Sequence, residues 1–449
     1  NPQLFGLFLS NFGCGPNSFI KNVVEDIMGS KPLGQLEIDA HAAEAGIITR
    51  LEALVDTLRG YLKAGFSQDL DPKRYARRAP SGIGLGKSIL LPYMTDHALV
   101  IAGAMRAFRV DAQVLPESSE RSMALSRDVT SGKECLPFRD TLGELLLAAQ
   151  EGRIPKGARA LMAGSFGPCR IGKYSQEIQK ILDERGIPVE VLTTVSDNSY
   201  ADLGLGTKFE LLAWKGIVAT DLLQRMLWSS RPYEKLPGQT NKTYQEYLNQ
   251  LVQIMERRQD LESLLREAAD TFSELRDPFL SKRPLVGING EIYLRANSFC
   301  NQRLVEVCEA NGLEAEVAPM AEWIRYIHLR RIEDAWTDKK VGKFIKAKLR
   351  KLVTEYYGGQ MTSWVDGMVH GEGPSPVELV KASSSYLPPR ISTEAIPSNG
   401  SGVLQMRDPH FAGVISVMPH GCMPGGIVAT FAEQISRQHG KPWVSLTFD

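Results

Sequence analysis

The strongest constraint on the fold is a unit that occurs three times along the chain. In each copy an apolar run enters a Gly/Pro loop holding one cysteine, a helical segment follows, and a second apolar run opens at a proline. The first copy runs Leu7-Phe8-Leu9-Ser10, Gly13-Cys14-Gly15-Pro16, a helix to Met28, then Lys31-Pro32 into Leu36-Glu37-Ile38-Asp39. The second runs Ala160-Leu161-Met162, Gly167-Pro168-Cys169-Arg170, a helix to Glu184, then Ile187-Pro188 into Val189-Glu190-Val191-Leu192. The third runs Val414-Ile415-Ser416-Val417, His420-Gly421-Cys422-Met423-Pro424, a helix to Gln438, then Lys441-Pro442 into Leu446-Thr447-Phe448-Asp449. Cysteine and proline are separated by 18, 19 and 20 residues, and the first and third copies share Lys-Pro-x-x-x-Leu-x-x-Asp. Each copy reads as a βαβ unit with its cysteine at the carboxyl end of a strand and the start of a helix, where open α/β sheets bind ligands.

The same alternation of β-type runs and helical-period segments continues through most of the chain, so the fold class is α/β, with repeated βαβ units forming parallel sheets in two or more lobes. Further strands are expected at Ser88 to Met94 and Leu285 to Asn289, and helices at Ala45 to Leu62, Thr141 to Gln150 and Ser175 to Glu184. Two long polar helical stretches, Tyr244 to Leu275 and Ala321 to Tyr357, are expected outside the sheets. Gly358 to Gly402, rich in Gly, Ser and Pro, reads as loop interrupted by one short helix. Boundaries near Arg74 to Gly86 and Arg276 to Pro284 divide the chain into 1–74, the end of a first α/β unit; 75–276, a lobe with Cys135 and Cys169 plus a helical extension; and 277–449, a lobe with Cys422.

Lys+Arg and Asp+Glu both number 52, so no overall field marks a nucleic-acid or membrane-surface partner. No apolar run approaches the roughly 20 residues that span a bilayer. These features predict a cytoplasmic protein. Six cysteines in 449 residues are too sparse for a disulfide scaffold.

A thiol at a helix N-terminus feels the positive end of the helix dipole, and nearby backbone N–H groups stabilise its thiolate. Glycine beside the sulfur admits a bulky group, and proline stiffens the loop. Cys135, in Gly132-Lys133-Glu134-Cys135-Leu136-Pro137-Phe138, has the same company. Cys14, Cys135, Cys169 and Cys422 are therefore candidate metal and cofactor ligands, and distant single cysteines converging on one crevice suit an iron-sulfur cluster. Two other readings stand beside it: a small buried residue in a tight turn, and a structural zinc site with His420 beside Cys422, although no C-x-x-C pair occurs. Cys308 reads as core packing, and Cys300 is open between core and site.

Ser81-Gly82-Ile83-Gly84-Leu85-Gly86-Lys87-Ser88 nearly spells a phosphate loop, but Pro80 precedes it and a β-like run follows, so it reads as a turn. The basic run from Arg330 to Lys351 reads as a solvated helix face, with docking of a partner or of CoA phosphates as the alternative.

Several stretches together resemble a known family. They are Leu9-Ser10-Asn11-Phe12-Gly13-Cys14-Gly15-Pro16, Glu37-Ile38-Asp39 followed by Thr49-Arg50-Leu51-Glu52-Ala53, Ser131 to Phe138, Gly167-Pro168-Cys169-Arg170, Gly290-Glu291-Ile292-Tyr293-Leu294-Arg295-Ala296-Asn297, and Pro419-His420-Gly421-Cys422. Over nearly its whole length the chain resembles the region after the ATPase modules of large CoA-substrate-specific enzyme activases, which is similar to 2-hydroxyacyl-CoA dehydratases and double-cubane-cluster proteins. The resemblance implies an oxygen-sensitive iron-sulfur reductase or dehydratase-like enzyme that takes low-potential electrons from an ATP-dependent activator, in cis or on another chain. It also implies an acyl-CoA substrate and a 4Fe-4S or double-cubane 8Fe-9S cluster. Cys135, Cys169 and Cys422 carry over as ligands, with Cys14 as a fourth or as part of a second half-site. An electron-transfer or cluster-holding module without its own substrate is the alternative.

The first repeat continues beyond Asp39 into a helix able to cover its last strand, whereas the third stops at Asp449. A parallel strand uncovered there invites association. The expectation is that the chain belongs to a larger protein or an oligomer.

Overall fold

The computed structural model describes residues 4–11, 15–29, 31–39, 43–64, 87–165, 169–195, 203–369, 371, 373–391 and 393–449. Cys14, Gly167 and Pro168, the Ser81 to Gly86 turn and the boundary near residue 74 lie outside the described residues. All three repeats fold as parallel βαβ units. Strand β1 (Gly6–Asn11), helix α1 (Gly15–Met28) and strand β2 (Leu33–Ile38) form the first, in a sheet of two strands, followed by α2 (Glu44–Ala64). Gly6 pairs with Leu33 and Asn11 with Ile38.

A second sheet comprises β3 (Ile89–Leu91), β4 (Ala112–Val114), β5 (Arg159–Gly164) and β6 (Glu190–Val195), with helices α3 (His97–Ala107), α4 (Glu120–Arg127), α5 (Leu136–Gln150) and α6 (Ile171–Glu184). Helices α7 (Gly206–Ser230), α8 (Gln239–Arg257) and α9 (Glu262–Leu275) then pack on it. The third sheet comprises β7 (Leu285–Gly290), β8 (Glu314–Val317), β9 (Phe411–Pro419) and β10 (Trp443–Phe448). Its helices are α10 (Ile292–Ala296), α11 (Leu304–Ala310), α12 (Met320–Thr337), α13 (Val341–Ser363), α14 (Pro376–Ser383), α15 (Ala395–Arg407) and α16 (Met423–His439). Strand pairing is parallel throughout these sheets.

The two four-stranded sheets share one topology. Their orders are β4-β3-β5-β6 and β10-β9-β7-β8, so in both the first strand lies between the second and third, and the fourth is an edge. This order reverses direction between the first and third strands, and the crevice beyond their carboxyl ends is the ligand position of open α/β sheets. The second repeat is β5-α6-β6 and the third is β9-α16-β10, each the last βαβ unit of its lobe. Their prolines, Pro188 and Pro442, stand just before the edge strand, where a missing N–H costs no ladder bond.

Both faces of the β3–β6 sheet are covered, which accounts for its nearly continuous apolar runs, whereas Leu7 and Leu9 of β1 are exposed. In the first lobe Ile89, Val100 and Met105 pack with Leu222, Leu223, Leu251, Leu265 and Phe272 of the added helices. On the opposite face Leu90, Ala160 and Met162 meet Phe138, Leu142, Ile178 and Leu182. The lobes also share a core, since Met123 and Leu136 from the first join Ile288, Leu294 and Val417 of the second. Phe19 of α1 lies edge-on to Phe138, ring centroids 5.1 Å apart, and joins the first lobe's core.

The sequence reading differs from the fold in four places. The stretch Tyr244 to Leu275 is two helices, broken where Arg258 takes φ 53°, and Ala321 to Tyr357 is broken where Lys339 takes φ 57°. Thr141 marks the second turn of α5 rather than its start, because the helix begins immediately after Cys135. Gly358 to Gly402 contains α14, most of α15 and the end of α13 rather than one short helix. Gly400 and Gly402 look like loop residues but serve close packing: a side chain on Gly400 would strike the Leu379 carbonyl, and one on Gly402 the Trp443 ring. Among the described residues no helix is long and apolar enough to cross a membrane.

Candidate functional site

Each described candidate cysteine sits where a helix begins. Cys135 is the N-cap of α5 with backbone φ −69°, ψ 148°, and Pro137 follows in the first turn. Cys169 lies one residue before Arg170, the N-cap of α6. Cys422 is the N-cap of α16, and its thiol accepts the Gly425 N–H at 3.4 Å. Gly421, at φ 67°, makes the turn that leads into Cys422.

Arg170 ties these loops together. Its guanidinium donates to the Lys133 carbonyl at 2.9 Å and to the His420 carbonyl at 2.8 Å, each two residues before a cysteine, and reaches Ser18 Oγ at 3.5 Å. Only 7% of Arg170 is exposed, so burial makes these fixed contacts rather than a solvated surface fork. Gly15, the first residue of α1, comes to the same place: a methyl group added there would lie 2.7 Å from the Gly421 carbonyl oxygen and 3.1 Å from Arg170 Nε. One arginine from the second repeat thus holds the start of the first repeat's helix, the loop of the third repeat and the loop before α5.

The thiols are close enough to act on one another. Cys135 disfavours ionisation of both Cys169 and Cys422. Burial pushes all three thiols up, foremost among the causes in each case, with Arg170 and the Tyr174 hydroxyl partly opposing it at Cys135. Here the expected stabilisation of thiolates by helix N-termini is outweighed by desolvation. Without a bound cation the three stay protonated; a metal would take them as thiolates.

Two carboxyls complete the ring. Glu291 follows β7 and caps α10, its carboxylate accepting the Leu294 N–H at 2.8 Å, and burial pushes its pKa up to about 7. Glu394 is the N-cap of α15, 9% exposed, and its carboxyl is the foremost charge disfavouring ionisation of the Cys169 thiol. Both line a cleft with Ser398, Ser416, Cys422 and Gly425. Sequence reasoning named neither as a site residue. Glu291 lay within a quoted motif, and Glu394 lay in a stretch read as loop.

Among the described residues, the remaining cysteines lie elsewhere. Cys308 is buried in α11 as core, as its apolar neighbourhood suggested. Cys300 is buried beside Asp140, a carboxylate that also receives the Tyr293 hydroxyl, and desolvation raises its thiol pKa. The His420 side chain is exposed, and the residue contributes its carbonyl to the Arg170 clamp.

Among the described residues no three His, Cys, Asp or Glu side chains close on a single ion. A cluster makes a different demand, because its thiolates bind different irons and need not meet about one centre. Thiol donors at three helix starts, a buried guanidinium beside them and oxygen donors on the cleft wall are compatible with such a group. No family model matches the chain, and no curated protein matches it.

Proposed function

We propose that this chain is the cluster-bearing component of an iron-sulfur reductase of the 2-hydroxyacyl-CoA dehydratase type, taking low-potential electrons from an ATP-dependent activator and reducing an acyl-CoA. The observation that carries the reading is the Arg170 clamp, which draws together loops that are far apart in sequence and each hold a cysteine. A coincidence of tight turns would need no such tie. Cys135, Cys169 and Cys422 are the ligands, and Cys14 adds a fourth or belongs to a second half-site.

When bound, a cluster supplies one-electron reduction at potentials set by its hydrogen bonds and burial. The chain's own contributions are binding and control of the surroundings. Helix starts behind the cysteines would turn positive dipole ends toward the negative charge of a bound cluster. The Gly425 N–H donates to Cys422 sulfur, the kind of bond that raises a cluster's potential. Glu291, with a pKa near neutrality, is suited to hold or release a proton at the cleft.

The test is iron and acid-labile sulfide content after anaerobic purification, with visible spectra before and after dithionite. Iron and sulfide in comparable amounts, with a charge-transfer band bleached by dithionite, support the reading; zinc, or no metal, overturns it. Reduction of an acyl-CoA in the presence of the activator separates the enzyme from a module that only carries electrons.

A further inference from the structure

The two lobes match beyond their strand order. In each, a helix of 8 residues opening with a capping box, α4 after Ser119 and α14 after Ser375, precedes the helix that leads to the third strand. That longer helix packs on the short one through a glycine: a side chain on Gly143 of α5 would strike the Ser122 carbonyl, and one on Gly400 of α15 the Leu379 carbonyl. The third strand then runs to Cys169 in the first lobe and Cys422 in the second. The α12–α13 hairpin is extra to the second lobe's plan.

Laid over one another, the plans match at the third-strand cysteine and differ at the helix before it. The α5 N-cap is Cys135; the α15 N-cap is Glu394. Glu394 lines the cleft with Cys422 and is the foremost charge disfavouring ionisation of both Cys169 and Cys422. The cation acting on it, Arg295, is itself engaged with Glu322 at 3.6 Å and the Pro319 carbonyl at 2.9 Å. A buried carboxyl of this kind is normally paired or bound to metal.

We propose that Glu394 is a carboxylate ligand of the iron-sulfur cluster, taking in the second lobe the position that Cys135 takes in the first. The inference rests on the iron-sulfur reading above. On binding, the carboxyl gives its proton to solvent and one oxygen bonds to iron, with no electron transferred. An oxygen donor is harder than thiolate and holds iron less firmly, which makes that one iron distinct from its neighbours.

The test is Mössbauer spectroscopy of the full chain reconstituted anaerobically with iron-57 and sulfide, on the wild type and on Glu394→Gln, Glu394→Cys and Cys14→Ala, with iron content and circular dichroism measured on each. The expected result is one iron subsite with distinct parameters in the wild type, altered or lost in Glu394→Gln and made thiolate-like in Glu394→Cys at unchanged iron content. Wild-type and Glu394→Gln spectra that superimpose, or a distinct subsite altered only by Cys14→Ala, overturn the proposal while leaving the cluster reading intact. A wild type that takes up no iron and sulfide removes the underlying reading itself.

Discussion

The two four-stranded lobes are the same construction put to unequal use. Both order their strands 2-1-3-4, cap a short helix with a serine, pack the next helix through a glycine, and set a cysteine beyond the third strand. The first lobe adds Cys135 and Arg170, so it brings two thiols and the clamp. The second brings only the shared thiol, Cys422, and adds two carboxyls, Glu291 and Glu394. The shared plan explains why the ends of both sheets come together; the unshared residues put Glu291 and Glu394 beside Cys422 on the wall of the cleft.

The largest expected effect tests whether both lobes serve one site. Replacing Cys169 or Cys422 with alanine should each remove most of the bound iron while the protein stays folded, since loops rather than cores change. Full iron in the Cys422→Ala protein would break the comparison by confining the site to the first lobe. Next in size is the clamp: Arg170→Ala should weaken metal retention by about 10–100-fold in a chelator challenge, the scale of second-layer losses at metal sites. Arg170→Lys should recover little of it, because an ammonium cannot reach both carbonyls as a planar fork does. Equal metal retention in wild type and Arg170→Ala would mean that the loops hold their positions without the clamp.

Smaller, and independent of metal, are the paired glycines. Gly143→Ala and Gly400→Ala should each destabilise by about 1–3 kcal/mol, because the added methyl meets backbone that cannot rotate away. Thermal denaturation giving a loss in one and none in the other would show that the helix pairs are not equivalent. The smallest effect is confined to the second lobe. Burial lifts Glu291 from 4.5 to about 7, so its folded pKa lies above its unfolded one. Its effect on stability is therefore most favourable below pH 4.5 and is lost as pH rises through 7, by roughly 1–2 kcal/mol once partial solvent access is allowed for. Glu291→Gln should flatten that decline in denaturant titrations between pH 5 and 8; an unchanged slope would assign the decline to other groups.

The repeat could be read because its information is local. Alternating apolar residues, a glycine turn, a helix start and a proline before the return strand all act within neighbouring residues, and the three parallel pairs follow from them. The short strands Ala112–Val114 and Glu314–Val317 escaped notice because 3 or 4 residues carry too little periodicity. Helix α15 was hidden by its own composition: Pro397, Gly400 and Gly402 argue for loop until Leu379 and Trp443 are seen to require small residues there. Tertiary packing overrode propensity.

For the site, the sequence by itself determined which residues carry sulfur and that Cys135, Cys169 and Cys422 begin helices, since N-terminal loop chemistry depends on a few adjacent residues. It could not determine that Arg170 faces the carbonyls of Lys133 and His420, 37 and 250 residues away, or that the Glu394 carboxyl acts on the Cys169 thiol. Those contacts exist only because two separately folded sheets pack with their strand ends toward one cleft. A side chain's partner across such a junction depends on the packing of whole lobes, which no short stretch of sequence encodes.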